Sequence, residues 1–149
     1  MKLQAKCQVC GAKNNWVPSQ ANIKGKLLWS AGYACDSCGN QMEIDDIGFM
    51  PIELRKMIFD RDGKFSIKAA ERIDDISSVK IKQILRREFS LDLIKTKSIC
   101  VNNHSGFLSG TYTEMSWLRS ILDSLHLSLA IERTDDAGDE ILDLISLVK

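Results

Sequence analysis

The sequence predicts an α+β chain: a small cysteine-bearing module of short strands, then a compact β-α-α-(β)-α-β domain and a C-terminal helix. Three observations carry this. Two CxxCG motifs, "CQVCG" at 7–11 and "CDSCG" at 35–39, frame a segment marked by glycines and aromatics. Downstream, "KFSIKAA" (64–70) and "LSLAIER" (127–133) alternate with period two, and the stretches between them space apolar residues by three and four. Residues 134–149 return to helical spacing at Ile141, Leu142, Leu144, Ile145 and Val148. The chain is 44% hydrophobic and 27% charged, enough apolar matter for a core and too little net charge, zero, for a disordered coil.

Residues 1–44 form the first expected domain. In a CxxCG turn the two thiolates sit on one side of a tight loop, and the glycine supplies the backbone freedom the turn needs. Two such knuckles facing each other, with Cys7, Cys10, Cys35 and Cys38, make a tetrahedral four-sulfur site suited to structural zinc. Iron held by the same ligands is chemically possible. Disulfides do not suit a chain without secretory features, and neither pair stands at a strand–helix junction as a redox CxxC would. Gly25, Gly32, Trp16, Trp29 and Tyr33 between the pairs suit short strands and turns. The segment resembles a zinc ribbon. Lys13, Lys24 and Lys26 beside Trp16 and Trp29 can hold nucleic acid by charge and stacking. The plainer expectation is aromatics filling a tiny core and lysines in solvent. Four thiolates around a divalent ion add −2 and leave the region near +1.

Residues 45–63 read as a connector: a helix started by Pro51, running to about residue 59 and stopped by "DRDG" at 60–63. Ile52, Met57, Ile58 and Phe59 are its expected packing residues. The domain at 64–133 opens with a strand through Phe65, Ile67 and Ala69. Ser77 or Ser78 is expected to cap a helix reaching Phe89, with Ile81, Ile84, Leu85 and Phe89 inside and Val79, Lys80, Gln83, Arg86 and Arg87 outside. Asp92 caps a second helix bearing Leu93, Ile94 and Ile99. "GFLSGTY" (106–112) is an edge strand or loop, Thr113 caps a third helix through Met115, Leu118, Leu122 and Leu125, and a strand closes the domain. Cys100 is expected to be a small buried hydrophobe. His104 and His126 stand apart with no motif around them, and no nucleophile–base spacing is present, so no enzyme is expected.

With "IKQILRREFSLDLIKTKSIC" (81–100) and "WLRSILDSLHLSLAIER" (117–133) set out, residues 64–133 resemble the C-terminal domain of the bacterial ribosomal large-subunit stalk protein. Leu91, Leu93 and Lys97 stand at that family's leucines and lysine. The Clp protease adaptor shares the fold. The resemblance implies an interaction surface on the first two helices, here Val79, Gln83, Arg86, Lys95 and Lys97. Gln83 stands where the family has a lysine, and Lys95 replaces an acidic residue, a reversal that works against the family's own partner. The dimerisation helices and flexible linker of the stalk protein are missing, so a ribosomal stalk subunit is not expected.

Residues 134–149 hold five acids against Lys149. Their apolar stripe is expected to pack on the chain's own core, with a partner, a second copy or masking of the basic helix pair as alternatives. "MKLQAKCQVC" lacks the apolar core of a secretory signal, and no run approaches the ~18–20 apolar residues that span a bilayer. A cytoplasmic chain without membrane contact is expected. The expected function is a non-enzymatic zinc-binding adaptor that holds a protein partner through the basic helix pair. A nucleic-acid-binding regulator using the ribbon is the alternative, and the sequence leaves the oligomeric state open.

Overall fold

The computed structural model of the chain describes residues 3–102, 106–134 and 141–148. It divides into two compact units, Met1–Asp62 and Gly63–Lys149, and its class is α+β.

In the first unit β1 (Gln4–Lys6) pairs antiparallel with β2 (Lys13–Asn15), while β3 (Val17–Ile23), β4 (Lys26–Ala34) and β5 (Gln41–Ile47) form an antiparallel meander in that order. Lys24 and Gly25 join β3 to β4 with φ of 51° and 75°. A two-residue hairpin with both central residues left-handed matches the twist of its strands. Gly25 takes that conformation freely, whereas Lys24 does so at a cost.

Alternation along β4 puts Leu27, Ala31 and Tyr33 inside. Against this face packs α1 (Ile52–Asp62), whose Leu54 and Ile58, one turn apart, meet Ala31, Met50, Trp16 and Trp29. Ile52 is exposed, whereas Ile58 and Met57 pack as expected and Leu54 joins them. Arg61 donates from Nη1 to the Pro18 carbonyl at 3.0 Å. Pro18 offers no N–H to a ladder, and it sits on β3, which pairs on one side only.

The second unit runs β6 (Phe65–Ala69), α2 (Asp75–Phe89), α3 (Leu93–Ser98), β7 (Leu108–Gly110), α4 (Tyr112–Ile121) and β8 (Leu129–Arg133), with the antiparallel sheet ordered β7-β6-β8. The expected order of elements is present, β7 included. Helix starts differ from expectation. Asp74, not Ser77 or Ser78, caps α2, its Oδ1 accepting from the Ser77 N–H at 2.6 Å. Thr111, not Thr113, caps α4: its hydroxyl accepts from Glu114 N–H at 3.1 Å, and the Glu114 carboxylate accepts from Thr111 N–H at 3.0 Å. Asp92 caps α3 as expected.

Ile81, Leu85 and Phe89 of α2 and Met115 and Leu118 of α4 are buried, joined by Ile67, Leu108 and Leu122. α3 is too short to form an inward stripe. Leu93 and Ile94 are 58% and 82% exposed, and Ile99, just past the helix, is buried instead. Cys100 is exposed rather than buried.

At the C-terminus, helix is present over Leu144–Leu147 as a 3-10 turn. An isolated bridge of Asp143 to Ser109 holds the backbone extended just before it. Buried Ile141, Leu144 and Leu147 recur every three residues, the period of a 3-10 helix. This apolar stripe packs on the second unit. The acids Asp135, Asp136, Asp139 and Glu140, and also His104, lie outside the described residues.

Candidate metal centre

Each cysteine pair occupies the loop of a β-hairpin, Cys7–Gly11 between β1 and β2 and Cys35–Gly39 between β4 and β5. The two loops are built alike. Gly11 N–H donates to Cys7 O at 2.9 Å and Gly39 N–H to Cys35 O at 2.8 Å; Cys7 N–H donates to Ala12 O and Cys35 N–H to Asn40 O, both at 2.8 Å. Gly11 and Gly39 have φ of 77° and 76°, the left-handed conformation that closes the loop and explains the glycine after each CxxC. The tight turn brings both sulfurs of a pair to the same side.

The knuckles face each other. Cys7 Sγ lies 3.6 Å from Cys38 Sγ and Cys10 Sγ 3.6 Å from Cys35 Sγ, and all four sulfurs lie within 4.8 Å of one another. A tetrahedron of sulfurs about 2.3 Å from a central zinc has edges of about 3.8 Å, so the cluster already has the dimensions of a tetrathiolate site. The sulfurs are too far apart for disulfides, which need about 2.05 Å. Cys7 and Cys35 are buried beside Tyr33, with Trp16 and Met42 around them, while Cys10 and Cys38 reach solvent.

Crowding four acidic groups splits their protonation. The side-chain amide of Asn14, with the N–H groups of Cys38 and Ser37, draws Cys35 down to about 6. The N–H groups of Cys10 and Val9 lower Cys7. Against the pull of the Ala12 N–H, the Cys35 sulfur and desolvation raise Cys10. Against the pull of the Asn40 N–H, desolvation and the other three sulfurs push Cys38 up to about 12. Each knuckle thus holds one thiol drawn toward the thiolate and one pushed away from it. Acid opposes binding, because the ligands must shed protons. Four protein thiolates fill a tetrahedral ion and leave no position for water, which fits a structural role and not hydrolysis.

The residues expected to contact nucleic acid do not gather. Trp16 packs its ring edge-on to Tyr33 at 5.3 Å, and Trp29 lies against the Ala31–Met50–Leu54–Ile58 cluster. Lys13 is next to the first knuckle, whereas Lys24 and Lys26 are at the opposite end of β4, about 27 Å away at ~3.3 Å per residue.

On α2, Val79, Gln83 and Arg86 are exposed opposite the buried Ile81, Leu85 and Phe89; on α3, Lys97 is exposed and Lys95 half-buried. Exposed Ile76, Leu93 and Ile94 join them and add an aliphatic component to this face. Among the described residues, no helix is long and apolar enough to cross a membrane. Compared with protein families, curated proteins and solved structures, the chain matches no family model, no curated protein and no solved structure.

Proposed function

We propose that the chain is a non-enzymatic adaptor whose first unit is held by structural zinc and whose second unit binds a protein through α2 and α3. The observation that carries the binding reading is the solvent face of α2. Aliphatic Ile76 (70% exposed) and Val79 (54%) lie there beside Arg86, and α3 adds Leu93, Ile94 and Lys97. Large aliphatics left in water beside cations are the composition of a protein contact, because aliphatic groups gain nothing from phosphate. The order β6-α2-α3-β7-α4-β8 is the order implied by the resemblance to the stalk protein's C-terminal domain, which supports an interaction role by analogy. A nucleic-acid role draws less support, since both tryptophans are packed and the lysines are dispersed. Zinc is favoured by four thiolates at tetrahedral spacing; a colourless purified protein with one equivalent of zinc is expected, and the visible absorption of a tetrathiolate iron centre would overturn that assignment.

The test of binding is affinity capture from host lysate, with and without nuclease, using the wild type and Arg86→Glu. A partner that survives nuclease and is lost with Arg86→Glu supports the adaptor. Equal capture by the variant removes this face from the mechanism, and capture abolished by nuclease moves the function to nucleic acid.

A further inference from the structure

The meander of the first unit has two faces. α1 covers the inner one; among the described residues of that unit no helix covers the outer one. Strand register assembles the outer face in rows: Val17, Gly32 and Glu43; Ser19, Ser30 and Asp45; Ala21, Leu28 and Ile47. On β4, the middle strand, Gly32 and Ser30 are small and Leu28 is half-buried, while Val17 (63% exposed), Ile47 (65%) and the two carboxylates stand on the flanking strands. The result is a trough. A hollow of about 530 Å³ lies over Ser19, Ala21, Leu28 and Ile47, and a second of about 490 Å³ continues it past Gly32 to Glu43. Three strands about 4.8 Å apart offer the width of one helix, 10–12 Å across.

This chain carries a helix of complementary chemistry. The solvent face of α2 presents Ile76, Val79, Lys80, Gln83, Arg86 and Arg87, with aliphatics toward its start, cations toward its end and no acid among the six. The trough holds Leu28 and Ile47 at one end and Asp45 and Glu43 toward the other, where Val17 stands in the row of Glu43. The row of Ile47 and the row of Glu43 are about 13 Å apart along the strand. Val79 and Arg86 are about 10.5 Å apart along the helix.

We infer that the outer sheet face of one copy receives α2 of a second copy, aliphatics on Ala21, Leu28 and Ile47 and guanidiniums on Asp45 and Glu43. Each copy carries one donor and one acceptor surface, so the contact is satisfied either reciprocally within a pair or head-to-tail along a row. One helix on three strands buries less than the ~800 Å² per partner of a standard interface, so the contact is a weak one. The contact goes beyond the adaptor reading: it uses a surface of the first unit, and it competes with any partner for α2.

Sedimentation of the zinc-loaded full chain tests this, from about 10 to about 500 µM at low and high salt. The expected result is an average mass that climbs with concentration above that of the monomer and falls when salt is added. Glu43→Lys with Asp45→Lys, and separately Arg86→Glu with Arg87→Glu, should each weaken association at least tenfold. All four positions are exposed, so folding is spared. An equimolar mixture of the two variants should associate again, because each supplies the charge the other now needs. A wild type that stays monomeric throughout, reversals without effect, or a mixture that remains monomeric would each overturn the contact. None of these outcomes depends on finding a partner, so the adaptor reading stands or falls separately.

Discussion

Replacing Cys38 by serine separates a structural metal from an incidental cluster of thiols. Cys38 is the suitable ligand because it is exposed: serine there opens no cavity, whereas changing buried Cys7 or Cys35 would disturb packing as well. A structural zinc site contributes about 10–16 kcal/mol to a small fold. Shared among four ligands, that is about 2.5–4 kcal/mol each, or a loss in metal affinity of about 100- to 1,000-fold.

The knuckle end has little else to hold it. Its buried cluster consists of Tyr33 and the two cysteines themselves, and the aliphatic cluster of Ala31, Met50, Leu54 and Ile58 lies under α1. Complete removal of zinc therefore subtracts a term as large as the whole stability of an ordinary domain, about 5–15 kcal/mol. The assay is competition with a chromophoric chelator, paired with amide spectra of the zinc-loaded and stripped protein. Cys38→Ser should release zinc to the chelator about 100- to 1,000-fold more readily, and stripping should collapse the resonances of residues 4–47. An unchanged zinc affinity in Cys38→Ser, or amide spectra indifferent to stripping, would refute the assignment.

Two further outcomes follow from backbone detail. The Ser77 N–H holds the Asp74 carboxylate below its usual 3.8, so this cap stabilises above that pH and the gain is lost as pH falls through the lower, folded value. Asp74→Ala should melt earlier than wild type at pH 7, with the gap closing in acid below 3.8, and a gap independent of pH would contradict the charge-assisted cap. Lys24 occupies a left-handed position that asparagine adopts more easily, so Lys24→Asn should stabilise the first unit by about 0.5–1 kcal/mol in chemical denaturation, and a loss of stability would show that the lysine side chain is held.

The metal centre was legible because its information is local. Spacing of two between cysteines, with glycine next, prescribes a loop whatever surrounds it, and the two loops repeat each other bond for bond. Helix starts were less legible for a reason visible at Ile73. "IDDISS" offers several capping residues in succession, and the choice falls on Asp74 because Ile73, buried and holding Asn102 Oδ1 by its N–H at 3.0 Å, fixes the chain just before it. That contact spans 29 residues and leaves no local trace. At α4 the signal was present: Thr111 stands three before Glu114, the spacing of a capping box, while Thr113 has no acid at that distance. The exposure of Leu93 and Ile94 left no trace in the sequence because periodicity reports amphipathic helices, and a six-residue helix is too short to show an inner face.

Zero net charge concealed the feature that matters for assembly. β5 carries Glu43, Asp45 and Asp46 and no cation, and as a strand paired on one side only it needs acids to discourage edge-to-edge association. Any arrangement of those acids along the edge would meet that need. Strand alternation divides them instead, sending Glu43 and Asp45 to the open face, in register with Gly32 and Ser30, and Asp46 to the other, in register with Trp29. Two carboxylates on the uncovered side of a sheet, beside Val17, Leu28 and Ile47, do more than guard an edge. They make the trough selective for a cation-bearing apolar helix, and α2 places its excess of positive charge on the one face that the core of the second unit leaves free.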